Sequence, residues 1–217
     1  SADGEFEECR TKALALTDHN TLAGMVSFFE ACDARGIRPI PGVQIDCVPW
    51  PDVTPRSISG SIVLLVESEI GYRNLTRLVS LANRKVNEGL APHVTNAELA
   101  EHAGGLIALV GVSSPLRHYI KPPDAARIEE YLTDLVRIFG RRNLFFELLP
   151  PSGSRQRSLN EYFIQLGDFL GIEIVATNDV HYVWSEDELA RLFRAGETPP
   201  QVIGKHAREL GEGRRHL

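Results

Sequence analysis

Six short apolar runs that alternate with stretches of helical periodicity are the feature that most restricts what this chain can fold into. The runs are Lys12 to Thr17, Arg38 to Ile45, Ser61 to Glu67, Leu106 to Val112, Asn143 to Leu149 and Ile172 to Thr177. Between them, residues 21–35 carry Leu22, Val26, Phe29 and Ala31 at near-helical spacing. Residues 72–86 place Leu75, Leu78, Val79 and Ala82 on one face, with Arg73, Arg77 and Arg84 on the outer one. Further helices are expected over 95–103, 124–139, 158–170 and 185–194. Gly36, Gly140 and Gly171 end helices in the usual way. Thr95 with Glu98, and Ser185 with Glu188, have the spacing of capping boxes. Strands and helices in this alternation assemble most naturally as parallel βα units, in a barrel or an open sheet.

The chain has 217 residues, enough to bury a full core, and this length favours one domain. Its 43% hydrophobic and 24% charged residues suit a globular protein, and no apolar run approaches the roughly 20 residues that span a bilayer. The acidic start, Ser1 to Glu8, lacks the basic and apolar regions of a signal peptide, so a cytoplasmic location is expected. Cys9, Cys32 and Cys47 are an odd number without CxxC spacing, which points to reduced, packed thiols rather than a disulfide framework or zinc ribbon. A net charge of −6 argues against unaided, nonspecific grip on a phosphate backbone. The local basic spots Arg141-Arg142 and Arg155-Gln-Arg157 read as solvated helix ends.

Chemistry concentrates in three stretches at or just past the C-terminal ends of apolar runs: Ala15 to Asn20, Pro41 to Gln44, and Ala176 to Tyr182. Parallel α/β folds present reactive groups there. Asp18-His19 and Asp179-Val-His181 offer hard and borderline ligands suited to zinc, manganese or iron, so two distant strands could build one metal site. The plainer alternative makes Asp18 a cap for a helix beginning near Thr21, and His181 a hydrogen-bonded loop residue. His93, His102, His118, His206 and His216 are expected at the surface. Glu147, at the end of its strand, is a candidate for an additional rim carboxylate.

Thr17-Asp-His-Asn20 with Gly24, Gly36 to Gln44, and Ala176 to Tyr182 resemble the polymerase and histidinol phosphatase (PHP) domain. Gly71-Tyr-Arg-Asn-Leu-Thr-Arg-Leu-Val79 and Gly105-Leu-Ile-Ala-Leu109 resemble more narrowly the version at the N-terminus of bacterial DNA polymerase III alpha subunits and their error-prone paralogues. The resemblance implies a distorted, TIM-like (β/α)7 barrel over residues 1–195, with 196–217 a weakly ordered tail or the start of a linker. It also implies a rim carrying up to nine ligands for three metal ions, used in active members to hydrolyse phosphoesters, including 3′-to-5′ exonuclease action. Asp18, His19, Asp179 and His181 match ligand positions.

The departures from the family pattern point the other way. Its opening His-x-His strand is missing, since Ser1-Ala-Asp-Gly4 resembles only the segment C-terminal to that strand. Gln44 stands where active members have glutamate, Ser61 where they have histidine, and Val112 where they have cysteine. Four matching side chains are expected to hold zinc or manganese weakly or not at all. The resemblance therefore implies a polymerase-type PHP domain with a degenerate site and a structural or docking role. Its partners would be the other polymerase domains and a separate proofreading exonuclease, with DNA reached only through the parent polymerase and no membrane partner. The alternatives are an active metal-dependent phosphoesterase or exonuclease, and a free-standing histidinol-phosphatase-like phosphatase.

Overall fold

The computed structural model describes residues 13–50, 60–120, 124–150 and 154–178. Asp179, His181, Cys9, His206, His216, the helix expected over 185–194 and the tail from 196 onward lie outside the described residues. The strands are β1 (Ala13–Leu16), β2 (Arg38–Val48), β3 (Gly60–Val66), β4 (Val94–Thr95), β5 (Leu106–Val110), β6 (Leu144–Leu148) and β7 (Glu173–Ala176). The helices are α1 (Met25–Asp33), α2 (Glu69–Arg84), α3 (Asn96–His102), α4 (Ala125–Phe139) and α5 (Ser154–Leu170). All six expected strands form, and the two-residue β4 joins them beside β2. The α3 capping box is present: the Thr95 hydroxyl accepts from Glu98 N, and Thr95 N donates to the Glu98 carboxylate at 2.8 Å. The chain forms a curled half-barrel sheet with helices, a distorted TIM-like α/β fold.

Sheet order is β1-β2-β3-β5-β6-β7. The expectation of uniformly parallel strands is corrected at β3, which runs antiparallel to both β2 and β5. The reason is the length of the connection. Only 11 residues separate Val48 from Gly60 (60 − 48 − 1), and a parallel crossover takes a dozen or more. Reversal puts the start of β3 at the same sheet end as the finishing ends of β1, β2, β5 and β6. Ser61 consequently reaches the rim from the beginning of its strand, directly opposite Asp46.

Because strand side chains alternate between faces, the sheet divides cleanly. Val43, Ile45, Ile62, Leu64, Ala108, Val110 and Phe146 point into the core, where Leu75 and Leu78 of α2 and Leu132 and Leu135 of α4 cover them. Gln44, Asp46, Ser61, Leu109 and Glu147 belong to the other face. Cys32 and Cys47 are buried free thiols, and burial pushes the Cys47 thiol well above its ordinary range. Arg141 Nη1 donates to the Leu170 carbonyl at the end of α5. This agrees with the helix-end reading of that basic spot.

Two of the family-like motifs meet in a packing joint. A Cβ on Gly71 would fall on the Gly105 carbonyl, and one on Gly105, at φ +74°, would strike the Ser68 hydroxyl. Glycine is required on both sides for α2 to press against the turn before β5. Asn74 Nδ2 then donates to the Gly104 carbonyl at 2.8 Å, and Leu75 is fully buried. The stretch from Gly71 is a core-packing element, as expected.

Candidate metal centre

Pairing between β1 and β2 continues past Leu16 into the Thr17–Asn20 motif. Gln44 N donates to the Asp18 carbonyl at 3.2 Å, Asn20 N donates to the Gln44 carbonyl at 2.9 Å, and His19 bridges Gln44 in parallel fashion. Asn20 then turns the chain in the left-handed region at φ +56°. Asparagine tolerates that conformation better than most residues. The Asn20 carbonyl is held in turn by Asn83 Nδ2 of α2, at 2.9 Å. The rim loop is therefore tied to the neighbouring strand and to a helix more than sixty residues further along.

This rigid loop sets His19 against Asp46. His19 Nε2 lies 2.9 Å from Asp46 Oδ1, while Asn20 Nδ2 donates to Asp46 Oδ2 at 2.9 Å. Asp46 N donates back to Asn20 Oδ1 at 3.0 Å. Asp46 is 9% exposed and Asn20 8%, but the His19 side chain is 58% exposed. The Asp46 hydrogen bond holds the His19 pKa above the ordinary imidazole value, opposed in part by desolvation. Sequence reasoning missed Asp46. The available signal was strand periodicity, because Asp46 stands two residues beyond Gln44 and shares its face.

One step back along β2, Gln44 Nε2 donates to Ser61 Oγ at 2.8 Å. The pair is a neutral amide bonded to a neutral hydroxyl. Val112 is partly buried and its side chain packs against the hydrophobic core. The residue just before it, Gly111, lies against Glu147: a Cβ there would come within 3.0 Å of Glu147 Oε2. Glu147 Oε1 accepts from Thr177 Oγ1 at 2.7 Å, so this carboxylate is half-buried on the β6–β7 side of the rim.

Asp18 does not cap a helix beginning at Thr21. The helix starts at Met25 with Gly24 as N-cap and no side-chain cap bond. Asp18 Oδ2 instead fills the space beside Gly24, 2.9 Å from where a Cβ would stand, which is why that motif position holds glycine. The surface expectation for His93 is also corrected. It is 3% exposed, its Nδ1 donates to the Ala91 carbonyl at 2.8 Å, and its own carbonyl accepts from Lys85 Nζ.

Among the described residues no group of three or more His, Cys, Asp or Glu side chains could hold a metal ion. The Asp18 carboxylate and His19 Nδ1 make no side-chain hydrogen bond among the described residues.

A family model for the PHP domain matches residues 5–150. The chain belongs to the PHP family. Curated relatives named DNA polymerase III subunit alpha include that of Treponema pallidum, 32% identical over 188 residues, covering 83% of this chain and 16% of the relative. That of Thermus aquaticus is 33% identical over 187 residues, covering 82% and 15%. This chain therefore spans about a sixth of the length of the polymerase subunits it matches. A crystal structure described as a metal-dependent phosphoesterase from Bifidobacterium adolescentis shares the fold, with TM-score 0.50, 12% identity, and coverage of 82% of this chain and 80% of that one. None of the described helices is long and apolar enough to cross a membrane.

Proposed function

We propose that this PHP domain serves a DNA polymerase III alpha-type subunit as a structural and docking module whose metal site is degenerate. The observation that supports the reading is the 2.8 Å bond between Gln44 and Ser61, a neutral pair at two positions that the family resemblance aligns with ligands. Phosphoester hydrolysis by bound metal requires several anionic or imidazole ligands per ion to generate hydroxide near neutral pH. An amide already bonded to a hydroxyl supplies neither charge nor imidazole. In this reading Asp18, His19, Asp179 and His181 are the remaining ligands, holding at most one zinc or manganese ion, and a separate proofreading exonuclease is the docked partner in the cytoplasm.

A second reading, a working phosphoesterase or exonuclease, draws support from Glu147, a carboxylate on the rim face that could replace a lost ligand. Elemental analysis of the purified chain, paired with hydrolysis of single-stranded DNA in added manganese or zinc, separates the two. The degenerate site predicts fewer than two metal ions per chain and negligible turnover. Metal-stimulated cleavage abolished by Asp18→Ala with His181→Ala would establish the active enzyme instead, and loss of that cleavage in Glu147→Gln would place Glu147 among its ligands.

A further inference from the structure

We propose that Asp46 is the positioning residue for His19: its carboxylate fixes the imidazole with the proton on Nε2 and leaves the Nδ1 lone pair as the ring's open position at the rim. The use of that position by a divalent cation rests on the reading above, but the positioning role stands on geometry alone.

A carboxylate accepts hydrogen bonds and donates none, so at 2.9 Å from Asp46 Oδ1 the shared proton belongs to His19 Nε2. Nδ1 has no hydrogen-bond partner among the described residues, and the ring, more than half exposed, has little packing to orient it. Asp46 is the opposite case. It is buried, its second oxygen takes the Asn20 amide, and its backbone N–H returns a bond to the same Asn20 side chain. Asn20 is anchored through its own backbone to Gln44 and to Asn83. A buried, hydrogen-bonded carboxylate behind an exposed imidazole is the arrangement by which metal-binding histidines are given one tautomer and one orientation. Gln44, on the same strand face, cannot perform this task because its amide is committed to Ser61.

The test is nitrogen NMR of the His19 ring in the full 217-residue chain, at a pH where imidazole is neutral. Wild type is expected to show the single Nε2–H form, and Asp46→Ala a mixture of tautomers, with Asp46→Asn as the isosteric variant should the alanine fail to fold. Zinc ions are then titrated. Asp46→Asn should weaken any zinc-induced shift at Nδ1 by about 10–100-fold in apparent affinity. In a His19→Ala background, Asp46→Asn should leave zinc binding elsewhere on the chain unchanged. A mixed or Nδ1-protonated ring in wild type, or a ring signature that survives loss of the Asp46 carboxylate, overturns the proposal. A fixed Nε2–H ring that zinc does not perturb upholds Asp46 and removes the cation reading instead.

Discussion

The joint between Gly71 and Gly105 and the rim around His19 are both built from family-like motifs, yet they hold together by opposite means. At the joint, side chains are absent where backbones touch, and stabilisation comes from Leu75 and its neighbours in a dry core. At the rim, polar side chains of residues 19, 20, 44, 46 and 61 satisfy one another within a partly solvated edge. A motif written in glycine and leucine marks packing that tolerates almost no substitution. One written in Asp, His and Asn marks a polar network held by hydrogen bonds, each of which contributes less than a buried leucine.

The joint should give the largest effects. Leu75→Ala removes a fully buried side chain and is expected to cost about 2–5 kcal/mol. Gly71→Ala drives a methyl into the Gly105 backbone and should cost about 1–3 kcal/mol or more. Chemical denaturation measures both. A Gly71→Ala chain as stable as wild type would show that α2 can slide away from Gly105.

An intermediate effect is expected from the neutral rim pair. Ser61→Ala removes one acceptor and should cost about 0.5–1.5 kcal/mol, since the half-buried Gln44 amide can turn to water. If this substitution instead rivals Leu75→Ala, the rim belongs energetically with the core and the contrast fails.

The smallest effect is the pH dependence contributed by His19. Its folded-state pKa is raised by the Asp46 hydrogen bond, so it binds protons more tightly folded than unfolded. The stabilisation is fully present below the unfolded imidazole value, about 6.5, and is lost as pH rises through the higher folded value. Melting temperatures of wild type and His19→Ala should therefore differ more at mildly acid than at alkaline pH. A gap that widens with rising pH would contradict the sign of this coupling.

The strands, the helices, the glycine stops and the Thr95–Glu98 capping box were legible in the sequence because each is written in local spacing. So was the gathering of Asp18, His19 and Gln44 at one sheet end, which follows from the ends of apolar runs. Tertiary structure decided what those residues do to one another. Reversal of β3 brought Ser61 to Gln44, although the run from Ser61 to Glu67 reads the same in either direction. The register of β1 on β2 brought His19 to Asp46 across 27 positions, and the folding of the chain around Lys85 buried His93. Residue type and spacing specify an element and its face. Which partner faces it depends on strand direction and register, and those are set by the packing of the whole sheet.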